Sequence, residues 1–160
     1  MRLTLHPSDR SDLAAAPAPE PPAPRGCTNL KLRQLSRAVS RHYDAHVAPV
    51  GLKGTQYSLL SHIVLSGPIR PSDLAQRLKL DASTLTRNLQ PLVAQGWVVQ
   101  GPGDDARCRA IVATEAGRAL RAEAQRAWKA AQLALNARLG ASRVAALHAL
   151  LDDCMAALES

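Results

Sequence analysis

Asp81-Ala82-Ser83-Thr84-Leu85-Thr86-Arg87-Asn88-Leu89-Gln90-Pro91-Leu92 decides the fold. Asp81 is a good helix N-cap, a carboxylate placed to accept the first free backbone N–H groups. Leu85, Leu89 and Leu92 follow at steps of four and three, which makes one apolar helical stripe. Gly96 stands just past the end, where a glycine closes a helix. The polar residues Ser83, Thr84, Thr86, Arg87 and Asn88 crowd the first two turns. That distribution suits a helix that buries one face and offers the other to nucleic acid. Hydroxyls bond phosphates or base edges, Arg prefers guanine and Asn prefers adenine.

Outward from this helix the pattern stays consistent. Upstream, Pro71 suits the first position of a short helix, where its missing N–H costs nothing. Leu74, Ala75 and Leu78 give that helix an apolar face, and Ser72 lies in its first turn. Downstream, Trp97-Val98-Val99 favours a strand, Gly101 to Asp105 is turn chemistry, and Arg107 to Ala113 can return as a second strand. Arg107 and Arg109 then sit beside the hairpin turn, where cations can meet phosphates. Ile69 to Ala113 thus reads as a winged helix-turn-helix: a short helix braces a recognition helix, and a hairpin wing reaches the flanking backbone.

Two helices precede this unit. The first begins near Thr28 with Leu32, Leu35, Val39, His42 and His46 on one stripe, carries Arg33, Arg37 and Arg41 on another face, and ends at Pro49 and Gly51. The second runs from Thr55 to Ser66, with Tyr57, Leu60, Ile63 and Val64 inward, and Gly67-Pro68 stops it. After the wing, Thr114 and Glu115 open a long helix to about Arg138, and Gly140 breaks it. Val144, Leu147, Leu151, Cys154 and Leu158 make a last stripe. The fold class is mainly α with a small β-hairpin wing. A DNA-binding lobe covers about 53–113, and dimerisation helices cover about 28–48 and 114–158. The first and last stripes exceed what one small lobe can hide, so they are expected to bury against a second subunit.

The bulk numbers agree. The 160 residues suit one domain, here 27–160. The chain is 46% hydrophobic but only 2% aromatic, without Phe, which favours closely packed helices. Its formal charge is +7, and the charges of residues 1–26 cancel, so the excess lies on the domain and attracts polyanions. The first 25 residues hold six prolines and few large apolar groups; residues 1–26 read as a disordered tail. No stretch approaches a membrane span of roughly 18 apolar residues, and without an apolar run after a basic start no secretory signal is expected. Three cysteines do not make a disulfide framework, so a cytoplasmic location is expected. No nucleophile triad, phosphate loop or paired acids suggest an enzyme, and no cofactor is implied.

The order and spacing of several segments resemble the MarR family of transcription regulators. They are Asp73-Leu74-Ala75-Gln76-Arg77-Leu78, Ser83 to Leu89, Leu92 through Gly96-Trp97-Val98, Asp105-Ala106-Arg107, and Thr114-Glu115-Ala116-Gly117. The resemblance runs from about Cys27 to Leu158. It implies a cytoplasmic homodimer with interlocked N- and C-terminal helices, which binds a pseudo-palindromic double-stranded operator, most often as a repressor. It also implies a recognition helix at about Ala82–Ala94 and a wing braced by Asp105 and Arg107. Two residues depart from the pattern. Arg70 stands where the family often has a capping Thr. Pro91 removes a helical bond to the Arg87 carbonyl, which should kink the recognition helix.

The resemblance further implies a small-molecule effector, such as an aromatic or nicotinate-like acid, between the first two helices and the DNA-binding lobe. His42, His46, Tyr57, Ser61, His62 and Arg70 are the candidate lining. Two other switches have residues to build on. His42 and His46 are one turn apart, a spacing able to bind metal, though no Cys or acid shares their stripe and no metal site is assigned. Cys27, near the basic Lys31 and Arg33, is a candidate thiol switch, although it falls about two residues earlier than the sensing cysteine of peroxide-responsive relatives. Outside this class stands a winged-helix protein-interaction module without DNA function; the polar recognition helix and the basic excess argue against it.

Overall fold

A computed structural model describes residues 23, 25–102 and 109–159. The expected tail therefore lies almost wholly outside the described residues, as do Asp105, Arg107 and Cys108. Six helices and one hairpin follow in order: α1 (Thr28–Val47), α2 (Gly54–Ser66), α3 (Pro71–Arg77), α4 (Ala82–Ala94), β1 (Val98–Pro102), β2 (Arg109–Ala113), α5 (Glu115–Leu139) and α6 (Ala141–Glu159). A single 3-10 turn, Ala48–Val50, links α1 to α2, and Gly51 follows it at φ 78°, a left-handed position that glycine adopts without strain.

Local chemistry explains the boundaries. The Asp81 carboxylate accepts the Thr84 N–H at 2.7 Å and so starts α4. Thr114 starts α5 in the same way, accepting from the Gly117 N–H at 3.1 Å, while its hydroxyl donates to the Gly96 carbonyl at 2.8 Å. Gly117 permits this junction, because a Cβ there would lie 2.1 Å from the Trp97 carbonyl oxygen. Arg70 occupies the N-cap of α3 without a side-chain cap bond. Helix α4 continues past Pro91 to Ala94, with Leu85 and Leu89 before the proline and Leu92 after it all buried.

The hairpin is antiparallel, with Val98 opposite Ala113 and Pro102 opposite Arg109. Ile69 adds a bridge to its open side, exchanging backbone hydrogen bonds with Ile111 at 2.8 and 3.1 Å. The main core fills the space between α2, α3, α4 and this sheet. Leu60, Ile63, Leu74, Leu92, Val98 and Ile111 are fully buried in it. A second cluster joins α1, α2 and α5. There the Trp128 indole is stacked between two phenol rings, 4.1 Å from Tyr43 and 4.7 Å from Tyr57, centroid to centroid. Burial pushes the Tyr43 phenol above its ordinary pKa, so its hydroxyl stays a donor and reaches Gln132 Oε1 at 2.5 Å.

Helices α1, α5 and α6 form the other end of the molecule. Leu32, Leu35, Leu133, Leu150, Leu151 and Leu158 are exposed there. Cys154, on the expected apolar stripe of α6, is exposed as well and fills no core. Among the described residues, no helix is long and apolar enough to cross a membrane.

Candidate nucleic-acid interface

Helix α4 buries its leucine stripe and turns its first two turns outward. Thr86 and Arg87 are exposed and Asn88 is half-buried. The hydroxyls of this set already have acceptors. Ser83 donates to Asp81 Oδ1 at 2.5 Å, Thr84 to Asp81 Oδ2 at 2.8 Å, and Thr86 to the Ala82 carbonyl at 2.8 Å. They can still accept through free lone pairs, but their protons serve the helix start. The Ser83 hydroxyl and the Thr84 N–H and hydroxyl together hold the Asp81 carboxyl well below the usual carboxylate range. Arg87 is less tied: its Nη2 lies 3.4 Å from Thr84 Oγ1, a long contact that leaves most of the guanidinium's donors outward.

The recognition helix does not stand alone. Ser72 from α3, Thr86 from α4, and Gln100 and Arg109 from the hairpin line one depression of about 390 Å³ floored by Ala75, Leu85 and Leu89. Three residues read from sequence as nucleic-acid contacts, on three elements, thus share one concave face. Ser72 donates to its neighbour Asp73 at 3.2 Å, and Arg109 is exposed. The turn between α3 and α4 is made by Lys79, which takes a left-handed φ of 52°. Lys79 also pairs with Glu159 at the end of α6.

The six residues expected to line an effector cleft are spread over several settings. Tyr57 is buried in the stack on Trp128, and Ser61 is buried where it accepts from Arg121 Nε at 3.2 Å. His62 uses Nδ1 on the Ser58 carbonyl and His46 uses Nδ1 on the His42 carbonyl, each 2.8 Å and one turn back on its own helix. His42 reaches across to α5, where Nε2 donates to the Ala131 carbonyl at 2.8 Å. The His42 and His46 rings lie 4.6 Å apart, but among the described residues no three His, Cys, Asp or Glu side chains gather around a metal position. Arg70 lines a separate depression with Asp73 and Arg77. Cys27 is exposed at the start of α1.

Sequence reasoning passed over Trp128 and Arg121, which tie α5 to α1 and α2. Trp128 shares a stripe with the buried Ala124 and Ala131 at steps of four and three, and that spacing was the available signal.

Residues 50–107 match the MarR family. The multiple antibiotic resistance protein MarR of Salmonella typhimurium is 32% identical over 123 residues, 76% of this chain and 85% of that protein. An uncharacterized HTH-type transcriptional regulator of Bacillus subtilis, YwoH, is 28% identical over 85 residues; the match spans 53% of this chain and 62% of that protein, under two thirds of its length. Among solved structures, the M. tuberculosis transcriptional regulator MosR in complex with DNA is 33% identical. It superposes with a TM-score of 0.66, over 81% of this chain and 98% of that one.

Proposed function

This chain belongs to the MarR family, and on that premise we propose that it is a sequence-specific repressor whose hold on a pseudo-palindromic operator is released by a small aromatic or nicotinate-like acid. It is a DNA-binding transcription regulator and not an enzyme. The observation that carries the reading is the exposed first half of α4, where Arg87 stands outward beside a capped helix start and Thr86 shares one concave face with Ser72 and Arg109.

In this reading α4 lies in the major groove. Arg87 and Asn88 address base edges, while Ser83, Thr84 and Thr86 accept from or pack on the groove walls. Ser72 and Arg109 meet phosphates, as does Arg107, whose brace on Asp105 would stiffen the wing. The chain works as a homodimer in the cytoplasm, with two recognition helices roughly 34 Å apart, one turn of DNA. Support for the dimer comes from the apolar groove between α1, α5 and α6, where Leu32, Leu35, Val39, Leu147 and Leu151 lie open in a single copy. Tyr57 and Ser61 are spent inside the protein. The acid is therefore drawn to the His42 side of the expected cleft rather than to Tyr57.

Operator titration of Arg87→Ala tests the reading. Loss of a base-reading arginine weakens specific binding by about 1–3 kcal/mol. Arg109→Ala should weaken all sequences alike and flatten the salt dependence by about one unit of slope. Unchanged operator affinity in Arg87→Ala would sink the assignment of α4.

A further inference from the structure

We propose that Gln90 is a second base-reading side chain of α4, which selects an adenine in the base pair beside the one that Arg87 contacts. The proposal rests on the DNA-binding reading of α4 above and adds a residue and a base to it. The geometry comes from the buried stripe. Leu85, Leu89 and Leu92 fix which side of α4 meets the core. At about 3.6 residues per turn, the line opposite them runs through Ser83, Arg87, Gln90 and Ala94. All four are exposed.

The four differ in what they can still reach. Ser83 is short, and its proton goes to Asp81 Oδ1 at 2.5 Å. Ala94 carries no polar group. Asn88, the other amide of the helix, is half-buried to one side of the line. Arg87 and Gln90 are therefore the two long polar side chains on the side away from the core. Gln90 is also uncommitted: among the described residues its amide makes no hydrogen bond. Thr86, one turn before it, spends its proton on the Ala82 carbonyl at 2.8 Å, and Arg87 leans back toward Thr84. Pro91 follows directly, and a proline ring crowds the Cβ of the residue before it, which narrows the directions open to that side chain. The planar head of Gln90 keeps an acceptor oxygen and an NH₂ donor side by side.

That head matches adenine. In the major groove adenine presents N7 as an acceptor and N6–H₂ as a donor, and a carboxamide answers both at once. Guanine presents two acceptors there and suits Arg87 instead. Three residues of helix rise about 4.5 Å, against roughly 3.4 Å for one base step. Two side chains three residues apart on one outward line thus meet neighbouring base pairs. Each half-site of the operator is then expected to carry a guanine and an adenine side by side. A glutamate in the same place could only accept, and would favour cytosine N4–H₂.

Selection of bound duplexes from a randomised DNA pool tests the reader, with the full chain as wild type, Gln90→Ala, Gln90→Glu and Asn88→Ala. The wild type should enrich an adenine beside the guanine of each half-site. Gln90→Ala should keep the guanine and lose the adenine; titration of the selected site and its single-base variants should show discrimination at that position reduced by about 5- to 150-fold. Gln90→Glu should move the preference there to cytosine. Gln90 is exposed and unbonded, so folding should survive, and melting curves check it. A Gln90→Ala chain that selects the same bases as the wild type at every position overturns the proposal. So does an adenine that is lost in Asn88→Ala and kept in Gln90→Ala. A wild type that enriches no common sequence would overturn the repressor reading and Gln90 with it, whereas a common sequence that Gln90 does not influence leaves that reading standing.

Discussion

The lobe around α4 and the helices α1, α5 and α6 are made of much the same residues, leucine and alanine above all, yet they reach different ends. In the lobe, Leu60, Leu74 and Leu92 lose all contact with solvent, because three helices and a hairpin close around them. On the outer helices, Leu133 keeps 70% of its surface exposed and Leu158 keeps 87%. The lobe is a core completed by its own chain. In the proposed dimer the helical end is half of a core. Apolar surface of that extent on a small protein marks a contact surface rather than a fold, so the two regions should answer to different variables. The stability of the lobe should depend on its packing alone, and that of the helical end on protein concentration.

The largest expected effect attacks the closed core. Leu60→Ala removes a fully buried side chain and should cost about 2–5 kcal/mol in denaturant unfolding. The loss should be the same at low and high protein concentration. A loss that shrank with concentration would mean that the lobe also borrows its core from a partner. Next comes the joint between the two regions. Gly117→Ala drives a methyl group at the Trp97 carbonyl, a backbone atom that cannot swing aside. A cost of about 1–3 kcal/mol is expected, with the wing and the start of α5 forced apart. Hydrogen exchange at Thr114 and Gly117 should rise. Unchanged exchange and melting would show that the joint has room for a methyl group beside the Trp97 carbonyl.

A smaller change in the stability of one chain, but a large one in assembly, comes from the open groove. Leu35→Lys with Leu147→Lys places two charges in the apolar trough between α1 and α6. If the proposed dimer forms through this groove, sedimentation should shift from dimer toward monomer at micromolar protein, and the melting temperature should lose its dependence on concentration. A double variant that sediments as the wild type does would place the second subunit elsewhere.

The same contrast explains what could be read from the residues alone. The lobe is written in local signals. Asp81 and Thr114 are caps, Pro71 is a first-turn proline and Gly140 is a stop, so α3 begins at the expected proline, and α4 and α5 begin and end within a residue or two of expectation. Long-range partners carry no such mark. Tyr43 and Trp128 stack across 85 positions, and nothing near either residue names the other. The candidate site divides in the same way. The outward face of α4 follows from its helical period. The hydroxyls of Ser83 and Thr84, read as groove contacts, also serve the cap, because short polar side chains in a first turn lie within reach of the N-cap. The proposed effector lining was the least legible part, since histidines one turn apart can bond their own helix, as His46 does on His42.

The smallest effect belongs to that cap and separates the regions by pH. Ser83 and Thr84 hold the Asp81 carboxyl below its ordinary range in the folded chain. A carboxylate with a depressed folded pKa binds its proton more weakly folded than unfolded. Its contribution is therefore present in full above the unfolded value near ~4 and is lost as the pH falls below it, toward the folded value. Asp81→Asn keeps an oxygen for the Thr84 N–H but cannot titrate, and Asn is itself a good cap. The melting temperature at pH 7 should thus fall only slightly, while the acid limb below about pH 4 becomes shallower than in the wild type. Because the cap sits in the closed lobe, the difference between the two limbs should not change with protein concentration. Parallel acid limbs in variant and wild type would mean that Asp81 gains nothing from folding. A difference that grew with dilution would tie α4 to the partner-dependent end of the molecule and erase the contrast between the two.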